Sequence, residues 1–113
     1  MIEKYDFGKI VIDGKEYRRD LIITLDGIRE NWWRKEGHKL HLEDLSDVLS
    51  SDVEILVIGT GYYGLMEVPE EIKRQIEEKG IKVIVEKTKN ACKTFNKLLK
   101  EGKRVAAALH LTC

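Results

Sequence analysis

The chain has 113 residues, 20 of them Lys or Arg and 20 Asp or Glu, so its formal charge at neutral pH is zero. Hydrophobic residues at 42% beside 35% charged exclude a disordered chain, and this length suffices for one domain, 1–113, with a core that needs no metal or disulfide. Apolar runs such as Ile55–Ile58 fall far short of the roughly 20 residues of a membrane-spanning helix, and Met1–Tyr5 lacks an apolar signal-peptide core, so a cytoplasmic protein with no membrane partner is expected.

In chain order, Lys9–Arg18 predicts a hairpin. Ile10 and Ile12 alternate with Lys9 and Val11, and Asp13-Gly14 supplies the two positive-φ positions of a type I′ turn. Leu21–Leu25 is a further strand closed by Asp26-Gly27, residues 28–37 are irregular, and Leu40–Leu42 either extends as a strand or leads into a short helix. Leu42, Leu45, Val48 and Leu49 fall at helical spacing, with Glu43 and Asp44 favouring the helix start. Glu54–Ile58 reads as a strand buried on both faces of a parallel sheet. Val68, Ile72 and Ile76 mark a helix with Pro69 at its first position and Gly80 as its stop. Ile81–Val85 is the next strand. Ala91, Phe95, Leu98 and Leu99 form the apolar stripe of a helix ending at Gly102, and Val105–Leu111 is the last strand. This alternation after a hairpin predicts an α/β sheet.

The charges are unevenly spread. Residues 43–78 hold ten acids against Lys73 and Arg74, and residues 79–113 hold nine bases against Glu86 and Glu101. Such asymmetry can steer an anionic partner, or the segments can neutralise one another across packed helices. Lys89, Lys93, Lys97 and Lys100 step along one helix face, yet the near-neutral pI of 6.8 and the lack of a nucleic-acid motif lead us to expect no nucleic-acid partner. Asn and Gln are scarce, a composition that resembles heat-adapted proteins. In that setting Cys92 and Cys113 form a possible disulfide, because a terminal tail can fold back over the start of the helix that carries Cys92; two free thiols are the alternative. Their spacing fits no zinc pattern, so no metal is expected.

Gly59, Gly61 and Gly64 spell GxGxxG after a strand, with Glu86 where a ribose-binding carboxylate would sit in a dinucleotide fold. The following helix begins only at Pro69, and Glu67, Glu70 and Glu71 would repel a pyrophosphate there. The glycines are therefore read as a tight turn, and no cofactor is expected. His38 and His41, three apart near Glu43 and Asp44, and the adjacent Trp32 and Trp33 carry no specific signal.

Gly59-Thr60-Gly61 after a strand, followed by Thr88, Ala91, Asn96, Leu98, Glu101, Gly102 and Val105 at family spacing, resembles a small domain-of-unknown-function family of archaeal and bacterial proteins. Its eukaryotic relatives include the adipogenesis-associated protein and mitochondrial complex I assembly factor three. Phe95 stands where the family has tyrosine and Lys103 where it has arginine. The resemblance implies a three-layer α/β fold around a mixed central sheet with an N-terminal β-hairpin. It implies little chemistry and leaves open whether the chain is an enzyme.

In open α/β sheets ligands bind beyond the carboxyl ends of the strands. If the strands ending at Gly59 and Val85 are parallel neighbours, Gly59, Thr60, Gly61, Thr88 and Asn90 meet on one edge, with Asn96 on the same helix. Thr88 or Asn90 would cap that helix, leaving backbone N–H groups for an anion beside Lys87 and Lys89. Two functions follow: a non-catalytic binding or assembly-type protein with a protein partner, which the resemblance favours, or a protein or enzyme taking a small anionic ligand at that edge.

Overall fold

Asp13 and Gly14 both hold positive φ, +49° and +83°, and they close the expected hairpin between β2 (Lys9–Ile12) and β3 (Lys15–Tyr17). The computed structural model describes residues 1–113 and adds a strand before that hairpin, β1 (Ile2–Asp6), paired antiparallel to β2 through the Phe7-Gly8 turn. These three strands form a separate small sheet in the order β1-β2-β3.

The main sheet has five strands in the order β5-β4-β8-β6-β7 and is mixed. β6 (Ile55–Thr60) lies between β7 (Lys82–Glu86) and β8 (Val105–His110), parallel to both. β4 (Leu21–Thr24) pairs antiparallel with β8, and β5 (Gly27–Arg29) with β4. β5 falls in a stretch expected to be irregular. Only its short pairing reveals it, since Gly-Ile-Arg has no alternating pattern to read.

Every residue of β6 and β8 is buried, as the continuous apolar run of a strand covered on both faces requires. One face meets α3 (Thr88–Lys100) and the small sheet around Ile10, Leu21, Val57, Ala91, Phe95 and Leu109. The other meets α1 (Ser46–Leu49), α2 (Glu70–Glu77) and Trp32 around Leu45, Leu56, Ile58, Ile76 and Ala108. The fold is the expected three layers about a mixed sheet. The expected helix at Leu42–Leu49 is split into a 3₁₀ turn, Leu42–Leu45, and the single turn of α1. Pro69 is the residue before α2, with ψ of 140°, and so lies one position outside the expected start. Of the two expectations for Leu40–Leu42 the second holds: the segment leads into the 3₁₀ turn at Leu42, and just before it Lys39 forms an isolated parallel bridge with Glu67.

Candidate functional site

The carboxyl ends of β6 and β8 and the start of α3 meet in one buried knot. Thr88 is fully buried and does not cap its helix. Its Oγ1 accepts the Gly61 N–H at 2.8 Å and donates to the His110 carbonyl at 2.6 Å. The Thr88 N–H donates back to the Gly61 carbonyl at 3.1 Å, and Thr60 Oγ1 donates to the Glu86 carbonyl at 3.2 Å. One hydroxyl thus ties together α3, the loop after β6 and the end of β8. Gly59 has to be glycine here: a Cβ would sit 2.8 Å from Thr88 Oγ1 and 3.1 Å from Thr88 Cα. Gly61, at φ +107°, lies against the last residues of the chain, where a Cβ would come within 2.7 Å of the Thr112 and Cys113 carbonyls. Those same carbonyls take the neighbouring N–H groups, Tyr62 on Thr112 at 2.6 Å and Leu65 on Cys113 at 3.1 Å. Within the GxGxxG run the Gly61 and Tyr62 N–H groups, and just after it that of Leu65, therefore face the chain itself.

The structure brings Gly59, Thr60, Gly61 and Thr88 together and leaves Asn90 and Asn96 apart from them. Asn90 is exposed on the first turn of α3. Asn96 grips β1 at two points, its Oδ1 accepting the Ile2 N–H at 2.9 Å and its Nδ2 donating to the Ile2 carbonyl at 2.7 Å. The possible Cys92–Cys113 disulfide is not formed, and both are free cysteines. The Cys113 carbonyl holds its backbone to Leu65, whereas Cys92 packs into the core from the inner face of α3, where burial pushes its thiol up to about 12. His41 bonds Glu36 at 2.5 Å on the surface, and His38 stacks edge-on against His110 with ring centroids 5.7 Å apart.

Two features went unseen in the sequence. The first is a polar cluster on the far side of the knot. Asp20 Oδ2 lies 2.8 Å from His110 Nδ1 and 2.8 Å from Arg34 Nη1, and its Oδ1 accepts the Leu111 N–H at 2.7 Å. Burial works against the Asp20 charge, yet the hydrogen bonds from His110 and Leu111 and the charge of Arg34 hold its carboxyl below the usual range. Arg34 is almost fully buried, its guanidinium over the Trp32 ring at 4.7 Å and bonded to the Gly37 carbonyl. Trp32 in turn donates its indole N–H to the Asp44 carbonyl. Asp20, Arg34 and His110 are 14 and 76 residues apart in sequence, so no local spacing signals them.

The second feature is a string of aromatic rings at the surface. Phe7 from the β1–β2 turn packs against Tyr62 and Tyr63, with centroids 5.8 and 6.0 Å away, and Tyr62 reaches Tyr5 at 6.3 Å. Tyr63 is 61% exposed, Leu65 57% and Phe7 49%. Lysines border the string: the Lys87 stem lies against Gly64, and Lys4, Lys89 and Lys93 line a shallow cleft with Tyr5. The Tyr5 hydroxyl is anchored inward on the Leu111 carbonyl at 2.8 Å. The signal available in sequence was aromatic residues beside glycine turns, in Phe7-Gly8 and Gly61-Tyr62-Tyr63-Gly64.

Comparison with known proteins identifies the family and the fold. The family described as "Protein of unknown function (DUF498/DUF598)" matches residues 2–110. NADH dehydrogenase [ubiquinone] 1 alpha subcomplex assembly factor 3 of Xenopus tropicalis is 35% identical over 111 residues, covering 96% of this chain, and the chain spans 59% of that protein's length. A 13 kDa major membrane protein of Francisella tularensis is 29% identical over 108 residues, 95% of this chain and 87% of that one. A conserved hypothetical protein of Pyrococcus horikoshii OT3 superposes with a TM-score of 0.85 at 35% identity over 100% of this chain and 99% of its own. No helix here is long and apolar enough to cross a membrane.

Proposed function

We propose that this chain, which belongs to the DUF498/DUF598 family, is a non-catalytic docking module that works in the assembly of larger protein complexes. The observation that carries the reading is the exposed aromatic string Phe7, Tyr62, Tyr63 and Leu65 with its lysine border. Rigid aromatic side chains give large contact area at small entropic cost, and they dominate the binding energy of protein interfaces. The lysines select a partner segment that presents apolar side chains among acidic ones. The family relation to proteins named as complex I assembly factors supports an assembly role, and the cytoplasm is its compartment under this reading. The test is affinity capture from an extract of the source cell with the wild type and with the Phe7→Ser/Tyr63→Ser double variant. Any captured protein is then purified and titrated against both. A partner that binds the wild type directly and loses at least about tenfold in affinity for the double variant supports the reading. Equal binding to both, or no partner for either, overturns it.

A second reading has its own observation. The N–H groups of Lys89 and Asn90 at the start of α3 find no backbone acceptor, and Lys87 is adjacent. A small anion would bind at that end of the Gly59–Gly61 and Thr88–Asn90 edge. A thermal-shift screen of anionic metabolites distinguishes it: a rise in Tm with one of them, diminished in Lys87→Ala, favours this reading over docking.

A further inference from the structure

β7 ends the main sheet, and no strand covers its outer edge. Its five residues read Lys82-Val83-Ile84-Val85-Glu86. The Lys82 N–H donates inward to the Glu54 carbonyl, and the Glu86 carbonyl accepts Thr60 Oγ1 from the same side. In a parallel ladder alternate residues point their N–H and C=O groups to opposite sides, so Ile84 faces β6 as Lys82 and Glu86 do. Val83 and Val85 therefore present two donors and two acceptors outward, away from β6. Side chains divide in the same rhythm. Val83 and Val85 lie on the α2 face, Val83 buried and Val85 37% exposed. Lys82, Ile84 and Glu86 lie on the α3 face, where Glu86 accepts the Thr94 hydroxyl through one carboxylate oxygen at 2.6 Å.

We propose that the occupant of this edge is the β7 strand of a second copy of this chain, antiparallel and centred on a two-fold axis at Ile84. In that register Val83 and Val85 of one copy face Val85 and Val83 of the other. Each of the two pairs exchanges both of its outward N–H and C=O groups, making four inter-chain hydrogen bonds. Ile84 meets its own copy as a non-hydrogen-bonded pair, which is where an antiparallel ladder brings side chains closest. Lys82 stands opposite Glu86 of the other copy at both ends, and the second carboxylate oxygen of Glu86 is free to take it. A shift of one residue would break the hydrogen-bond parity. A shift of two would leave the lysines and glutamates without opposite partners. The strand is thus complementary to itself in charge, hydrogen bonding and apolar pattern in one register alone. Such pairing is isologous and closes at two copies, so it makes a continuous ten-stranded sheet and no fibre.

The contact is one short strand, small against interfaces that hold permanent dimers, so the dissociation constant should be on the order of 10–100 µM. Sedimentation velocity across that range tests the proposal on the wild type and four variants, each first checked for unchanged circular dichroism. Lys82→Glu and Glu86→Lys each set like charges opposite one another at both ends and should weaken the dimer by at least about tenfold. The double exchange, Lys82→Glu with Glu86→Lys, should restore it. Val85→Pro removes an outward N–H that β6 does not use, so it should stay folded and be monomeric. A wild type that is monomeric at about 1 mM overturns the proposal, and so does a dimer insensitive to the charge reversals or to Val85→Pro.

Discussion

Gly59–Gly61 and Tyr62–Leu65 are consecutive in the chain, yet they do opposite things. The first three residues end a buried strand, and their groups face inward onto Thr88, Leu109 and the Thr112 and Cys113 carbonyls. Of the next four, Tyr62 and Leu65 send their backbone N–H groups to those same carbonyls while the Tyr62, Tyr63 and Leu65 side chains turn to solvent. A glycine-rich loop at the carboxyl end of a parallel strand is where a phosphate cradle is expected, since free backbone donors and close approach are what an anion needs. Here the chain's own carbonyls take those donors, and the glycines serve the close approach of other backbone. Rigidity inside the loop is what holds its rings in place outside it.

The contrast predicts which substitutions damage the fold and which damage only the surface. Gly59→Ala forces a methyl group into the Thr88 backbone and should cost the most, about 3 kcal/mol in urea unfolding, or no soluble protein at all. Thr88→Val keeps the volume but leaves the Gly61 N–H without its acceptor, and should cost about 2 kcal/mol; Thr88→Ser, which keeps the hydroxyl, should cost about half as much. If Thr88→Val were neutral, the knot would not be what holds the edge together.

Asp20 gives a smaller, pH-dependent effect. Its carboxyl is held below the ordinary value in the folded chain, so its contribution is present above the unfolded value near pH 4 and is lost as pH falls through the folded one. Asp20→Asn should therefore flatten the stability profile below about pH 4, and cost about 1–2 kcal/mol at neutral pH, because buried Arg34 loses its countercharge. An unchanged acid limb in this variant would contradict the assignment. At the other extreme, Phe7→Ser with Tyr63→Ser should move unfolding by no more than about 0.5 kcal/mol, since both residues sit at the surface, Phe7 about half and Tyr63 more than half exposed. A larger loss would mean that the aromatic string is structural.

Much of the fold was legible because the signals were local. Asp13-Gly14 fixed one hairpin, the apolar run at Ile55–Ile58 announced a doubly covered strand, and Ala91, Phe95 and Leu98 marked α3. What stayed hidden depended on partners distant in sequence. Ile2–Asp6 becomes a strand by pairing with β2, aided by the Asn96 side chain from the other end of the chain. Gly59, Thr60, Gly61 and Thr88 were legible as neighbours, because parallel strands bring successive loops together, whereas Asn90 and Asn96 were grouped with them only by sharing the helix. The hydrogen bonds among the first four were not legible, since Thr88 had an equally good local use as a helix cap and chose the Gly61 N–H instead. The Asp20–Arg34–His110 cluster has no local trace at all.

Amide hydrogen exchange at Gly61, Tyr62 and Leu65, read residue by residue by NMR on the unliganded protein, tests the central contrast most directly. A closed loop predicts that these three N–H groups exchange slowly, near the global opening rate of the core strand β6, although the Tyr62, Tyr63 and Leu65 side chains are exposed. Exchange at the rate of an open loop, slowed only on adding phosphate, would contradict the account and return these residues to the role of an anion cradle.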